Sequence, residues 1–313
     1  TLSSLWFFLD SEGAWKAVSL SAVLLGLAAL TRPIGVFLPF LFAVFIAFFF
    51  KNRSIRKRLL SAILLIAVSI IVVFPWLLRN KTEFNSWSLS SVSSFNLYYY
   101  NAMRFYMSER GASFEEAKEV FDANIKEKYG EESMKNNLLN ARIFKKEAMA
   151  IILREPVKYG VFHLGTLTPF FLSDGLREIA QITKLAPREF LGLRDLFLAG
   201  DYPSLLSALK NGGSLSLMFM AGFLFFLSVT LLMCAGFARG VFDDNRRAAT
   251  LVIFSSVIVL ALLSGVVTTV RFRYAVSPLI FILSGYGFEK LLLQMKKRQI
   301  AWPFGFRKLK SPE

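Results

Sequence analysis

Four arginines stand where charge is costly. Arg32 closes one long apolar stretch and precedes Pro33. Arg79 ends another, in Phe74-Pro75-Trp76-Leu77-Leu78-Arg79-Asn80. Arg271 and Arg273 share a short connection between two more, in Val270-Arg271-Phe272-Arg273-Tyr274. A guanidinium is planar, stays charged when partly desolvated and can grip a phosphate through two parallel N–H bonds. Arginine at the rim of an apolar stretch therefore suits an anion held at that depth, such as a lipid phosphate. Its plainer role is to snorkel to the headgroups with its stem in hydrocarbon, and for Arg79 the two roles weigh equally. Tyr98, Tyr99, Asn101 and Tyr274 are candidates to touch a sugar or an acceptor, with Tyr100 beside them. Such a tyrosine run is more often the aromatic belt of a membrane interface.

Other chemistries are excluded or unsupported. There is no phosphate-binding P-loop, no dinucleotide glycine fingerprint and no Cys/His cluster. One histidine, His163, rules out a multi-His metal site and reads as an interfacial polar residue rather than a base. No cofactor is evident. Cys234 is the single cysteine, so no disulfide forms within the chain.

The arginines must be positioned by membrane helices. Of 313 residues, 55% are apolar and 19% charged, more apolar and less charged than soluble domains. Apolar runs recur at Trp15–Thr31, Pro33–Phe50, Leu59–Leu78, Leu215–Phe237, Ala248–Thr269 and Tyr274–Leu293; a span needs roughly 20 such residues. Leu5–Leu9 reads as the tail of a further span cut off upstream. The fold expected is all-α: a polytopic membrane protein with about six transmembrane helices and a large, mainly helical extracytoplasmic loop. It divides into three spans in 1–78, the loop in 79–214, three spans in 215–293 and a basic tail in 294–313.

Charge sets the orientation. The segments 51–58 and 239–247 and the tail are rich in Lys and Arg, and all three fall on one side if six spans alternate. Basic connections lie in the cytoplasm. The loop 79–214 is then outside, and with 18 Lys/Arg against 16 Asp/Glu it is almost neutral. The net charge of +15 would suggest nucleic acid in a soluble protein. Here the excess lies beside apolar runs, so the partner expected is membrane lipid and not nucleic acid. Against this bias, arginines kept in short external connections suggest a function.

A loop this long carries its own structure. Ser113-Phe114-Glu115-Glu116 is a capping box opening a helix that Gly130 stops. A second helix is expected from about Glu131 to Arg154, ending before Pro156. Val157–Leu172 and Phe190–Leu206 read as interfacial or re-entrant pieces. Gly236 and Gly240 match a small-xxx-small pairing motif at a span end.

Three stretches, in order, resemble the polyprenyl-phosphate-sugar-dependent glycosyltransferases of the GT-C superfamily, relatives of protein O-mannosyltransferases and aminoarabinose transferases. They are Gly26-Leu27-Ala28-Ala29-Leu30-Thr31-Arg32-Pro33, the Phe74–Asn80 stretch, and Arg271-Phe272-Arg273-Tyr274-Ala275-Val276-Ser277-Pro278. Phe95-Asn96-Leu97-Tyr98-Tyr99-Tyr100-Asn101-Ala102 also resembles the segment after the first outer helix of bacterial members. The resemblance implies transfer of a sugar from a polyprenyl phosphate to a glycan, lipid or protein acceptor on the outer face. A carboxylate would act as general base and cations would stabilise the phosphate leaving group. Arg32, Arg271 and Arg273 are the residues it would set on the phosphate. The family's catalytic Asp lies in a first outer loop, which this chain lacks; Asp10 and Glu12 fall on the inner side. The chain alone is therefore expected to be inactive, its base lying upstream of residue 1. Some members use a divalent cation, for which no ligands stand out here. Two other classes fit the same spans and arginines: a transporter or polymerase of lipid-linked oligosaccharides, and a non-catalytic scaffold.

Overall fold

The computed structural model describes residues 15–49, 54–173, 175–176, 183, 201–267 and 270–297. Every regular element among them is helical. Helix α1 (Trp15–Thr31) is followed by a 3-10 turn (Pro33–Phe37) that leads into α2 (Leu38–Phe49). Helix α3 runs for 30 residues, Ile55–Phe84. A loop subdomain follows: α4 (Val92–Asn96), a π-helical turn (Leu97–Ala102), α5 (Met103–Arg110), α6 (Phe114–Tyr129), α7 (Ala141–Ile152), α8 (Pro156–Gly165) and α9 (Thr168–Leu172). The last part holds α10 (Tyr202–Val241), kinked at Gly213 where φ is 57° and ψ −144°, α11 (Arg247–Ser264), the short α12 (Val270–Arg273) and α13 (Ser277–Lys297).

Among the described residues, three helices are long and apolar enough to cross a membrane: Ile55–Phe84, Ser216–Val241 and Arg247–Ser264. Only 28% of the most apolar stretch of α3 is buried within the protein, and Leu59, Ile63, Ile70, Ile71 and Phe74 project outward. Apolar surface on this scale has no place in water; it suits lipid. The apolar helices α1 and α2 are shorter. At 1.5 Å per residue α1 is about 26 Å long, and the 3-10 turn lengthens α2 by about 10 Å. These helices share one apolar core, in which Val18, Leu25, Phe42, Leu65, Val229, Val257 and Leu279 all take part.

Small residues bring the helices into backbone contact. A Cβ on Gly26 would lie 2.7 Å from Val72 Cβ, and the Ser69 hydroxyl donates to Ala22 O at 3.0 Å, locking α1 to α3. Gly236 and Gly240 do pair helices, each with a different one. Gly236 meets Gly287 of α13, where an added Cβ would fall 2.0 Å from Leu283 O, and Gly240 meets Thr250 of α11.

The loop subdomain has its own core of Tyr98, Phe121, Ile125, Phe144 and Ala148. The capping box forms as expected: Glu116 N–H donates to Ser113 Oγ at 3.2 Å, and Ser113 N–H to Glu116 at 2.8 Å. The helix expected over Glu131–Arg154 is not continuous. It breaks into a 3-10 turn at Glu131–Met134, an irregular stretch, and α7 from Ala141. Asparagines cause the break. Asn137 Oδ1 accepts from Asn140 N–H at 2.9 Å, and Asn140 Nδ2 donates to Glu132 O and Lys135 O. Such side chains compete with helical backbone bonds. Val157–Leu172 likewise divides into α8 and α9. The apolar run at 248–269 stops being α-helical at Ser264, because Gly265 takes φ +59°, ψ −149°. The segments 1–14, 190–200 and 298–313 lie outside the described residues.

Candidate functional site

Two corners meet at the end of the bundle that carries the loop subdomain. The first is made by proline. A residue before Pro is pushed out of the helical region, and Arg32 is accordingly extended, at φ −139°, ψ 115°. Helix α1 closes with Arg32 N–H on Ala28 O, and the next turn starts with Gly35 N–H on Arg32 O at 2.8 Å. Arg32 is thereby held out at the surface of a tight corner. The second corner is α12. Its Phe272 ring lies beneath Arg32, with the guanidinium carbon 5.6 Å from the ring centroid.

The two arginines flanking Phe272 have different standing. Arg273 is 2% exposed and turns inward. Its Nη1 donates to Phe170 O at 3.1 Å and Phe171 O at 3.2 Å, and its guanidinium sits 3.8 Å from the Phe226 ring centroid. It clamps α9 against α10. The helical backbone at Arg271 is described, but its side chain lies outside the described residues. Tyr274 is exposed, at 64%.

Arg79 does not end its helix; α3 runs on to Phe84 and closes at Asn85 in the left-handed region. Arg79 is bracketed by Trp76 and Phe84 and donates to Asn80 Oδ1 at 3.1 Å. Asn80 is fully buried and donates to Ser88 O at 3.0 Å, while Trp76 Nε1 donates to Leu89 O at 3.0 Å. The Phe74–Asn80 stretch thus pins the following segment onto the helix.

Two of the loop tyrosines, Tyr98 and Tyr99, are core residues. Tyr98 is wholly buried, donates to Phe121 O at 3.0 Å and accepts from Asn124 Nδ2 at 3.0 Å. Protein therefore surrounds its ring, which leaves no face for a sugar. Burial raises its pKa to about 12. Tyr99, 8% exposed, donates to Asp122 Oδ1 at 2.8 Å, and burial with that bond raises its pKa too. Its ring edge and the more open Tyr100 line a cleft of ≈ 270 Å³ with Lys118 and Asp122. Asn101 is also taken up: Oδ1 accepts from Tyr159 OH at 3.1 Å and Nδ2 donates to Asn96 O at 3.1 Å.

Asn101 belongs to a polar latch between the loop and α11. His163 Nε2 is 2.8 Å from Leu262 O, and a carbonyl only accepts, so Nε2 carries a proton. His163 Nδ1 faces Tyr159 OH at 3.3 Å. A Cβ at Gly265 would fall 2.7 Å from Asn101 Oδ1, so glycine is required both by its φ and by this approach. Tyr159 was not a candidate on sequence, although its spacing of four residues from His163 puts the two on one helix face. Glu147 was missed as well. It bonds Lys128 at 2.8 Å, Tyr129 OH at 2.8 Å and Asn124 at 3.2 Å. Burial opposes its charge, but these bonds prevail and lower its pKa. An acid on the otherwise apolar face of α7 was the available signal.

Beside the Arg32 corner lies an apolar crevice of ≈ 220 Å³ between α1, α2 and α3. Ala29, Val36, Pro39, Val73 and Leu77 line it, and Trp87 stands at its edge. Among the described residues no three His, Cys, Asp or Glu side chains gather to hold a metal ion. The chain matches no family model, no curated protein and no solved structure.

Proposed function

We propose that the chain is part of a membrane glycosyltransferase that takes a sugar from a polyprenyl phosphate at the extracytoplasmic face. The observation that carries this reading is the meeting of the Arg32 and Phe272 corners beside an apolar crevice. A cation next to an apolar groove matches the two halves of a polyprenyl phosphate: the anion pairs with guanidinium, and the chain fills the crevice. The resemblance of the Gly26–Pro33, Phe74–Asn80 and Arg271–Pro278 stretches to GT-C transferases supplies the reaction. Within it, Arg32 and Arg271 are the phosphate-side residues, while Arg273 supports the corner from within. A carboxylate base and a glycan, lipid or protein acceptor complete the scheme, with room for a divalent cation.

The topology belongs to the same proposal. Six spans would be α1, the 3-10 turn with α2, α3, α10 from Ser216, α11 and α13. The basic segments 51–58 and 239–247 would then be cytoplasmic, and 79–214 outside. The basic inner connection is folded onto the helix ends: Arg246 lies over the Tyr286 ring at 4.8 Å, and Arg247 pairs with Asp244 at 2.9 Å. An impermeant thiol reagent on a Ser133→Cys, Cys234→Ala chain should label intact cells; labelling only after lysis would reverse the orientation.

The function is tested by sugar transfer in the full-length protein at matched membrane abundance. A charge-assisted bond to phosphate contributes roughly 1.5–3 kcal/mol, so Arg32→Ala should slow transfer by about ten- to more than a hundredfold. Lys should restore only part, lacking the planar fork. A wild-type rate in Arg32→Ala would remove Arg32 from the phosphate. Movement of intact lipid-linked sugar without transfer would favour the transporter reading.

A further inference from the structure

We propose that a second cleft, between the end of α3 and the start of α7, is a separate binding site for a phosphate-bearing ligand. The chemistry it recognises is a phosphoester at the membrane surface, and the cleft shares none of its cations or hydroxyls with the Arg32 site.

The cleft holds ≈ 470 Å³, more than the crevice or the tyrosine cleft. One wall is Ser86, Trp87 and Ser88, the segment fixed to α3 by Asn80 and Trp76. The other is Arg142 and Lys145 of α7, and Ser94 of α4 contributes a third hydroxyl. Both main walls are held in place without a ligand. Residues three apart on a helix lie side by side, so the two cations face the cleft together.

Their charge is uncompensated. No carboxylate lines the cleft, and among the described residues neither Arg142 nor Lys145 is in a salt bridge. Lys118, Lys126, Lys128, Lys135 and Lys158 of the loop subdomain each have an acidic partner; Arg142 and Lys145 differ from the subdomain's other unpaired cations in lining a concave site together. Two cations left unpaired in the same neighbourhood, in a concave site with three serine hydroxyls, match the oxygens of a phosphate. The mouth points to where such a ligand would come from. Trp87 is 56% exposed and Leu139 63% exposed at the rim, beside the end of a helix long and apolar enough to cross a membrane. A Trp and an aliphatic side chain beside two cations are the residue types of a membrane interface. Trp87 also borders the apolar crevice, so the two sites adjoin at this one side chain.

The probes are phosphatidylglycerol, phosphatidylcholine and soluble glycerol phosphate, with the purified full-length protein. Native mass spectrometry reads lipid retention, and competition by glycerol phosphate separates the two sources. The wild type should retain phosphatidylglycerol about tenfold or more better than Arg142→Gln/Lys145→Gln, the loss expected for one or two charge-assisted bonds. Lys146→Gln removes a charge that instead lies over the Tyr129 ring at 5.8 Å and should retain the lipid like wild type. If glycerol phosphate displaces the lipid, the site accepts soluble phosphoesters as well. If it does not, and Trp87→Ala weakens retention, the ligand is a lipid. Equal retention by wild type and the double variant, or an equal loss in Lys146→Gln, overturns the site. Both cations are exposed, so the double variant should fold; matched circular dichroism checks this, and Arg142→Lys, which keeps the charge, should retain the lipid.

Discussion

Replacing Arg273 by alanine should loosen the corner from within. The guanidinium is 2% exposed and holds the carbonyls of Phe170 and Phe171. Phe171 O keeps a second donor, the Thr230 hydroxyl at 3.3 Å, so Phe170 O loses most. Leaving one buried carbonyl without its charged donor costs about 1–3 kcal/mol. The desolvated contact with the Phe226 ring adds about 2 kcal/mol, and the cavity left by the stem acts in the same direction. A total of roughly 3–5 kcal/mol is a large part of the stability of a folded domain. Thermal melts of purified protein in detergent, followed by circular dichroism, should drop clearly for Arg273→Ala and less for Arg273→Lys, which keeps the charge but not the fork. Arg32→Ala, exposed and on a corner already set by Pro33, should melt with the wild type. A melting point for Arg273→Ala indistinguishable from wild type would refute the clamp and return Arg273 to the list of residues that face a ligand.

Further outcomes follow from the packing and the loop core. Ser113→Ala removes one half of the capping box and should destabilise the loop subdomain by about 1 kcal/mol, read as faster amide exchange across Glu115–Ile125; unchanged exchange would mean the cap is idle. Gly236→Val, whose Cβ would lie 2.0 Å from Leu283 O, should abolish folded protein on gel filtration, whereas Gly285→Ala, with nothing within 4 Å, should elute normally. Tyr98 has a folded pKa raised to about 12 from 10.0, so its burial stabilises the fold fully below pH 10 and that contribution fades as pH climbs toward 12; near-ultraviolet phenolate absorbance should rise together with unfolding in that window. Glu147 has the opposite sign: its lowered pKa stabilises at neutral pH, and the contribution is lost as pH falls below the ordinary carboxylate range. Glu147→Gln should flatten the acid limb of a stability profile, and an unchanged limb would show that the network is not coupled to folding.

Much of this architecture is legible because its determinants are local. The Arg32-Pro33 pair dictates an extended corner, Ser113 and Glu116 dictate a helix start, and the apolar runs dictate the bundle helices to within a few residues. What escaped depends on tertiary packing. Three tyrosines in a row carry no period, so nothing in their order says that Tyr98 is sealed in a core while Tyr100 lies at a cleft. Arg271 and Arg273 differ by two positions in a short connection, where side-chain direction is decided by neighbours; the carbonyls that draw Arg273 inward come from residues about a hundred positions away. The asparagines around Asn140 were the exception, since their competition with helical bonds is a local signal that the helical expectation for 131–154 passed over.

The π-helical turn at Leu97–Ala102 gives this loop two masters. Within one widened turn Tyr98 and Tyr99 bond to α6, while Asn101 reaches Tyr159 of α8 and the Gly265 turn beyond α11. The extra residue in such a turn is a register shift: deleting the more open Tyr100 would tighten the turn and rotate everything before it relative to everything after. One side of the joint would then lose its partners whichever way the chain settled. Length variation in this protein is therefore tolerable at the exposed loop tips and intolerable at this joint, so that a comparison of natural variants, when aligned, should find the six-residue spacing from Leu97 to Ala102 fixed even where the side chains change.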